Sequence, residues 1–342
     1  MLSNPYRQVT IRRKVGYTNR FNLNGLTGVL KLGLHVLNYT HLGLGKLKLV
    51  IKDKAQVIRI VSMPFDQAAR HAVNVLSYDY FETVRYGKRV CIPGSSIKGA
   101  VRSRIELSSI AYNNTNDFCF SVQGRPPIPP PQVGQHGWRH FKIWDPAVYE
   151  LRDTCNPEST GVYDLCVGCD MFGAPGVASR VFFGNFCVDG DVTGNLDLDY
   201  GEKLEVIKPC TVLEGEISFH GLSLDEFGIL LIGLGWCPNI NDFKPILMGK
   251  SKYRVRTTSA GTKVVLGRVK FEARELKVLT EYLTKDITSK IAIKEVIRGD
   301  ELKELFNIAV KEAVNKYPSL RNAPCFSEAE KLDELIKKGG IT

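Results

Sequence analysis

The sequence predicts an α+β protein whose core is interrupted by one large insertion. Apolar runs with partial alternation, a pattern typical of strands, occur on both sides of residues 113–164. Apolar residues at helical spacing follow two of these runs, whereas residues 113–164 are too rich in proline to be regular core structure. The order strand, turn, strands, helix, insertion, strand, helix, strand favours a mixed core that carries an inserted lid.

The composition fits a globular protein with an anionic partner. The chain has 342 residues, a net charge of +10 and a pI of 9.1, and nucleic acid is the commonest partner of so basic a protein. No apolar run approaches the roughly 20 residues of a membrane span, so no membrane partner is expected. Residues 1–14 are polar and basic, unlike a secretion signal, which predicts a cytoplasmic protein with reduced cysteines.

The first part of the chain is predicted to form strands around a glycine turn, with one short helix. Its predicted elements are a strand over Leu26–Leu37, a glycine turn over Asn38–Lys46 that carries His41, a strand pair over Leu47–Met63 whose clearer half is Val57–Val61, and a helix over Phe65–Leu76.

A helix is predicted to begin just after Pro93-Gly94, which breaks the strand ending at Ile92. Ser95 or Ser96 is expected to cap this helix. Lys98 and Arg102 are four residues apart, so they share one helix face near its positive N-terminal end. A glycine turn, free backbone N–H groups and two cations form a socket for phosphate, although the same pattern also fits a plain helix start with solvated charges.

The second half returns to strands and helices. We expect a strand over Leu213–Phe219, a helix over Leu222–Leu234 opened by Ser223 to Glu226, and two C-terminal helices over Glu301–Lys316 and Glu328–Lys338, the last with a Ser327…Glu330 capping box. The predicted units are a core over residues 1–112 and 165–275, a proline-rich lid over residues 113–164, and a C-terminal helical segment over residues 276–342 packed on the core.

Cysteines near the end of the lid have the spacing of a zinc site. Cys166 and Cys169 are separated by two residues, which lets two thiolates share one zinc ion, and Cys155 lies upstream. With His136 these residues would close a tetrahedral structural site, and His140 and Cys119 are alternatives for the fourth ligand. Otherwise Cys166 packs in the core and the histidines are surface residues.

A cation-rich segment over residues 249–270 would suit a phosphate backbone. Lys250 and Arg268 each follow a glycine, Lys252 lies between them, and glycine lets another backbone approach closely. A solvated hairpin would show the same composition.

Several stretches together resemble the RAMP superfamily. The sequence from Ile92 to Gly99, followed by Arg102, is similar to the IPGSS-x-KG-x-x-R signature that begins the first helix in type III CRISPR–Cas backbone members. Further similar blocks, in the family's order, are Leu26-Thr27-Gly28, His41 to Gly45, Cys169 to Gly173 with Ser179-Arg180-Val181, Gly221 to Gly228, and Leu247 to Ser251.

The resemblance implies a modified RRM or ferredoxin-like core with insertions that form a lid and a thumb. Such subunits stack along a guide RNA beside other CRISPR-associated subunits. In this chain the resemblance places Ser95, Ser96, Lys98 and Arg102 against the guide backbone. It places Lys250, Lys252 and Arg268 in a second wall, and His41 in the first glycine turn.

The resemblance also implies a candidate for cleavage of target RNA. In many members an aspartate before the signature supports cleavage that depends on Mg²⁺ or another divalent metal. Asp79 lies at a comparable distance before Ile92, but the proline and the second aspartate of the family pattern are missing. A further departure is the insertion Tyr253–Leu266 within the second glycine block, which is expected to be an extra hairpin.

Two other functions remain open at this point. One is a RAMP endoribonuclease that processes CRISPR precursor RNA with His41 or Tyr39. The other is a non-catalytic end-cap subunit that contacts mainly protein.

Overall fold

The computed structural model describes residues 7–14, 16–51, 53–120, 131–135, 137–151 and 154–338. Its centre is a sheet with two helices on one face. The core elements are, in chain order, β1 (Leu26–Val36), α1 (Gly94–Ser108), β2 (Val181–Phe183 with Phe186–Val188), β3 (Val212–Leu222), α2 (Leu224–Leu234) and β4 (Arg268–Val278).

The strand order identifies the core. The four strands lie in the order β4-β1-β3-β2, and every neighbouring pair is antiparallel. With α1 between β1 and β2, and α2 between β3 and β4, this is the ferredoxin-like arrangement that the resemblance implied. The α+β fold class is therefore confirmed.

Short strands extend the sheet at both edges. Arg89–Ile92 pairs with the Phe186–Val188 part of β2, and Arg85–Tyr86 pairs with Arg89–Ile92. At the other edge Ile246–Leu247 and Val296–Ile297 both pair with β4. The start of α1 therefore lies near one edge of the sheet, whereas Leu247 and the residues after it lie near the other.

A second sheet carries an arm with two helices. Its strands lie in the order Thr193–Asp197, Lys203–Ile207, Leu76–Thr83, Gly43–Ile51. Helices Lys54–Val61 and Phe65–Val75 connect strand Gly43–Ile51 to strand Leu76–Thr83. The predicted helix over Phe65–Leu76 is confirmed, but the predicted strand over Val57–Val61 is wrong. There the Asp53 side chain accepts hydrogen bonds from the Ala55 and Gln56 N–H groups, and this cap starts a helix in spite of the β-branched residues.

The described part of the inserted region is held by the N-terminal segment. Arg7–Gln8 pairs with Glu150–Leu151, and Thr10–Ile11 pairs with Thr115–Asn116. The helices here are Trp138–Tyr149, Pro157–Thr160 and Val167–Phe172. The proline run at residues 125–130 lies outside the described residues.

Helix α2 is buried on every side. All residues of Leu224–Leu234 are buried, because the sheet covers one side and helix Gly299–Lys316 the other. Ser223 and Glu226 form a capping box, since Ser223 accepts from the Glu226 N–H and the Glu226 carboxylate accepts from the Ser223 N–H. At the capping box predicted for the last helix, Ser327 accepts from the Glu330 N–H, whereas the Glu330 carboxylate accepts from Lys244. Glu328–Lys337 forms the last helix, so both predicted C-terminal helices are confirmed.

The remaining elements are short. They are the strand pairs Trp236–Cys237 with Asp242–Phe243 and Val255–Thr257 with Lys263–Val265, the helix Lys285–Thr288, and 3₁₀ turns at Asp199–Gly201, Thr280–Tyr282 and Pro318–Leu320. The pair Val255–Thr257 and Lys263–Val265 is the extra hairpin expected from the insertion Tyr253–Leu266.

The face of the sheet opposite the helices is covered by ion pairs. Lys31 pairs with Glu275 at 3.0 Å, and Arg274 pairs with Glu272 at 2.9 Å. His35 also contacts Glu272, with 2.6 Å between Nε2 and Oε2. Along β1, Lys31 and His35 alternate with buried core residues, as a sheet with one polar face requires. Along β4 the pairing shifts between Ala273 and Glu275, which places Glu275 opposite Lys31.

Candidate nucleic-acid interface and cysteine cluster

Helix α1 has no side-chain cap from its own N-cap residue, and its Gly94 N–H donates to Asn185 Oδ1 at 2.9 Å. Its N-cap is Pro93, so the predicted capping by Ser95 or Ser96 is wrong, because the helix starts at Gly94. Ser95 is exposed and Ser96 is half-buried in the first turn. The first turn therefore keeps its serines available for another molecule.

Lys98 lies one turn into α1 and has no acidic partner within the described ranges. It is half-buried. Burial, and then the positive charge of Arg102, lower the pKa of Lys98. A phosphate placed here would relieve both effects.

Arg102 points into the protein. Its guanidinium donates to Glu106 Oε1 at 2.8 Å, to the Gly173 carbonyl at 2.7 Å and to Cys169 Sγ at 3.2 Å. The structure thus separates Arg102 from the two serines and Lys98, with which the sequence grouped it, and directs it towards the cysteines.

The first glycine turn and the second glycine block interlock. The Lys250 N–H donates to the His41 carbonyl at 3.0 Å, and the Gly267 N–H donates to the Tyr39 carbonyl at 2.9 Å. Gly249 and Gly267 both have positive φ, and a Cβ at Gly267 would lie 2.0 Å from the Met248 carbonyl oxygen. Only glycine fits this close approach.

The cations of the second wall already have partners. Lys250 Nζ lies 2.5 Å from Glu202 Oε1, and Arg268 pairs with Asp333. Lys252 donates to the Leu247 carbonyl at 3.4 Å, and burial lowers its pKa. Lys250 keeps 45% of its side chain exposed, so it is the most accessible of the three.

His41 is buried, with 1% of its surface exposed. Its Nδ1 atom lies 2.7 Å from the Glu205 carbonyl oxygen, and burial lowers its pKa. A neutral, enclosed imidazole stabilises the turn. The endoribonuclease hypothesis requires His41 to contact RNA, and its burial disfavours that hypothesis.

Asp79 lies in the strand Leu76–Thr83 at an irregularity of the pairing. Lys48 is opposite Tyr80 and Leu49 is opposite Tyr78, which leaves Asp79 as the extra residue of a bulge. Its side chain lies outside the described part of the structure.

Four cysteines converge inside the protein. Cys119, Cys155, Cys166 and Cys169 are all buried, and their sulfur atoms lie within 4.8 Å of one another. The Cys169 N–H donates to Cys166 Sγ and the Cys166 N–H to Cys155 Sγ, both at 3.4 Å. We call this set the cysteine cluster.

The cysteine cluster fits a structural zinc ion. Four thiolates in tetrahedral geometry, with Zn–S distances of about 2.3 Å, are a common closed zinc site. The sequence predicted Cys155, Cys166 and Cys169, with Cys119 among the alternatives for the fourth ligand. His136 lies outside the described residues. Cys119 carries no spacing signal, because its nearest partner in sequence is 36 residues away at Cys155.

A buried ion network links two of the blocks that resemble the family. Arg180 is fully buried and donates to Asp170 Oδ2 at 2.8 Å and to Glu226 Oε1 at 2.5 Å. Asp170 also accepts from the Thr18 N–H and from Arg20. Burial alone would raise the pKa of Asp170, but Arg180 and the other donors hold it well below its usual range. These motif residues therefore have a structural role.

The other cysteines correct the expectation of reduced thiols. The structure contains the disulfides Cys91–Cys187 and Cys237–Cys325, and Cys210 is free and exposed. The bonded partners are 96 and 88 residues apart in sequence, so only the fold brings them together.

No helix among the described residues has the length and apolar character needed to span a membrane. The sequence model of the RAMP superfamily matches residues 34–300. No curated protein matches the chain. A similar solved structure is the crystal structure of Thermofilum pendens Csc2, with 13% sequence identity, coverage of 98% of this chain and 95% of that chain, and a TM-score of 0.38. Since the family model covers most of the chain, this protein belongs to the RAMP superfamily.

Proposed function

We propose that this chain is a CRISPR-associated subunit that binds guide RNA along its backbone, beside other subunits of a type III effector complex. Membership of the RAMP superfamily and the net charge of +10 support this proposal. The single observation that carries it is the start of α1, where the first turn presents Ser95, Ser96 and Lys98, a lysine with no acidic partner among the described residues. Such a start attracts phosphate through its dipole, its serine hydroxyls and its cation.

The test measures RNA affinity against salt for the wild type and Lys98→Ala. Each phosphate contact on a single strand contributes about 0.7 to the slope of log affinity against log salt. Lys98→Ala should therefore weaken binding and flatten that slope by about this amount. Lys311→Ala is the matched control, because Lys311 is an exposed lysine on helix Gly299–Lys316. Equal affinity and slope for Lys98→Ala and the wild type would favour the end-cap function, in which contacts are mainly with protein.

Cleavage of target RNA is the second function we propose. Asp79 lies at a bulge, and bulges occur often beside active sites because they redirect a side chain. Its carboxylate would hold Mg²⁺ or another divalent cation, which supplies charge stabilisation to phosphoryl chemistry. In the reconstituted complex Asp79→Ala should abolish metal-dependent cleavage of target RNA and leave guide binding intact. Cleavage that persists in Asp79→Ala would assign the nuclease to another subunit.

The zinc site belongs to the same proposal as a structural part. Zinc bound by the cysteine cluster would join the inserted region, which supplies Cys119 and Cys155, to the segment that supplies Cys166 and Cys169. A region with few apolar contacts of its own gains its stability from such a site.

A further inference from the structure

Exposed aromatic rings gather beside the end of β3, on the face of the sheet opposite the helices. Phe182 stacks on His220, with 5.7 Å between ring centroids and an angle of 24° between the ring planes. Phe182 is 49% exposed although its neighbour Val181 is in the core. Alternation along the strand therefore directs Phe182 to the open face.

The segment after Tyr17 adds one further exposed ring, that of Phe21. Phe21 is 92% exposed. A tight turn fixes it, since the Phe21 N–H donates to Asn19 Oδ1 at 2.9 Å and the Asn22 N–H donates to the Asn19 carbonyl at 3.1 Å. Such a turn holds the ring outward with little freedom of its backbone.

Arg20 anchors this segment beside β2 and β3. It donates to the Ala178 carbonyl at 2.8 Å and to Asp170 Oδ1 at 2.8 Å, and its backbone lies beside the His220 ring. Its guanidinium carbon also lies 5.5 Å from the centre of the Tyr17 ring. Phe21, the next residue in the chain, and the Phe182–His220 stack are thus both adjacent to a fixed arginine.

Resting on the proposed RNA binding, we infer that Phe21, Phe182 and His220 form a platform on which unpaired bases of the bound RNA stack. We call these three residues the aromatic platform. Flat rings beside a fixed cation are how proteins hold single strands without reading their sequence.

The position of the aromatic platform favours RNA over a protein partner. Phe183, the next residue after Phe182, touches the start of α1, because a Cβ at Gly94 would lie 1.9 Å from the Phe183 carbonyl oxygen. The Val181–Phe183 part of β2 pairs only with β3 among the described strands, and the start of α1 lies beside its other edge. An RNA strand with one phosphate at Lys98 can pass this edge of the sheet and place its neighbouring bases on the aromatic platform.

The rest of the open face explains why stacking is confined to this end. Along β1 and β4 the face carries the ion pairs of Lys31 with Glu275 and Arg274 with Glu272. Their carboxylates repel phosphates, and the described part of that region offers no exposed ring for a base.

The experiment compares two unstructured RNAs of equal length by fluorescence anisotropy. One is an oligouridine and the other has abasic riboses at its central positions, so both keep their phosphates. Phe182→Leu and Phe21→Leu should each bind the oligouridine about 10-fold more weakly and the abasic strand unchanged. Leucine keeps an apolar side chain, so the loss reports stacking. Tyr86→Leu is the control, because Tyr86 is 51% exposed on a strand outside the aromatic platform.

Each alternative outcome has its own signature. Wild type that binds neither RNA would overturn the proposed function and the platform with it. Wild type that binds both RNAs equally would overturn the platform alone, and Lys98→Ala should then weaken both complexes. Leucine variants that bind RNA like the wild type but lose self-association in sedimentation would assign the rings to a protein contact and overturn the platform.

Discussion

The Arg102 guanidinium donates a hydrogen bond to Cys169 Sγ at a distance of 3.2 Å. A residue of the signature at the start of α1 is therefore bound to a member of the cysteine cluster. An arginine beside a thiolate stabilises the negative charge that four sulfur ligands bring to a zinc site. Helix α1 and the proposed metal site are thus directly connected.

Zinc content is the first prediction. Purified protein should contain about one equivalent of zinc per chain by plasma mass spectrometry, and Cys119→Ser should lose it. Cys210→Ser should retain it, because Cys210 is exposed and outside the cluster. Zinc retained in Cys119→Ser at the level of Cys210→Ser would contradict the assignment of Cys119 as a ligand.

The second prediction concerns the buried ion network. Arg180→Met should lower the free energy of unfolding by about 3–5 kcal/mol, because it leaves Asp170 and Glu226 without their shared partner. Arg298→Ala should cost less than about 1 kcal/mol, since Arg298 is 68% exposed and its ion pair with Glu275 is screened by water. Urea unfolding of both variants gives the comparison, and similar losses would contradict a special role for the buried network.

The third prediction is a pH dependence caused by Glu205. This fully buried residue accepts from Arg85 at 2.8 Å and from Lys48 at 2.5 Å. Burial alone would raise the pKa of Glu205, but these donors outweigh it and lower the pKa to about 2. A carboxylate with a lowered pKa stabilises the fold above its ordinary value of 4.5, and this contribution is lost as the pH falls towards 2.

Glu205→Gln should therefore destabilise the protein by about 2–3 kcal/mol at pH 6 and by clearly less at pH 3. Chemical unfolding at the two pH values measures the difference. Glu214→Gln is the control, because Glu214 is 70% exposed and should leave stability unchanged at both. A Glu205→Gln penalty that does not shrink at pH 3 would show that the charge of Glu205 is not the cause.

The fourth prediction concerns the disulfides. Mass measurement of protein alkylated without reduction should leave Cys91, Cys187, Cys237 and Cys325 unmodified. Cys325→Ser should lower the free energy of unfolding by about 2–4 kcal/mol, because the Cys237–Cys325 bond closes a long loop in the unfolded chain. Alkylation of all four cysteines without reductant would contradict the bonds.

Elements with strong periodicity or a clear cap were predictable from the sequence. β1, α2 and the two C-terminal helices follow apolar patterns that a single core explains, and Ser223 with Glu226 marks the start of α2. The strand predicted over residues 57–61 is wrong because V-I-R-I-V favours a strand by composition. In the structure these residues form part of a helix that is capped by Asp53.

The sequence indicates which residue types the candidate site contains, but not which distant residues they contact. The sequence marks Lys250 and Arg268 as candidate cations, yet it cannot indicate that Glu202 and Asp333 lie beside them. Those partners are distant in sequence, and the same holds for Cys119 in the cysteine cluster. Phe21 and Phe182 were overlooked because an isolated aromatic residue gives no signal until exposure is known.

The arrangement of the cysteines provides a single site for chemical labelling. Eight of the nine are enclosed in the cluster or in disulfides, and Cys210 alone is free and exposed. It lies at the start of β3, where its N–H donates to the Val36 carbonyl at 2.8 Å. A maleimide fluorophore should thus attach at a single place on the unaltered protein, beside Val36, which precedes Tyr39 of the first glycine turn by three residues. Its emission would report the arrival of RNA there in real time, without any engineered residue.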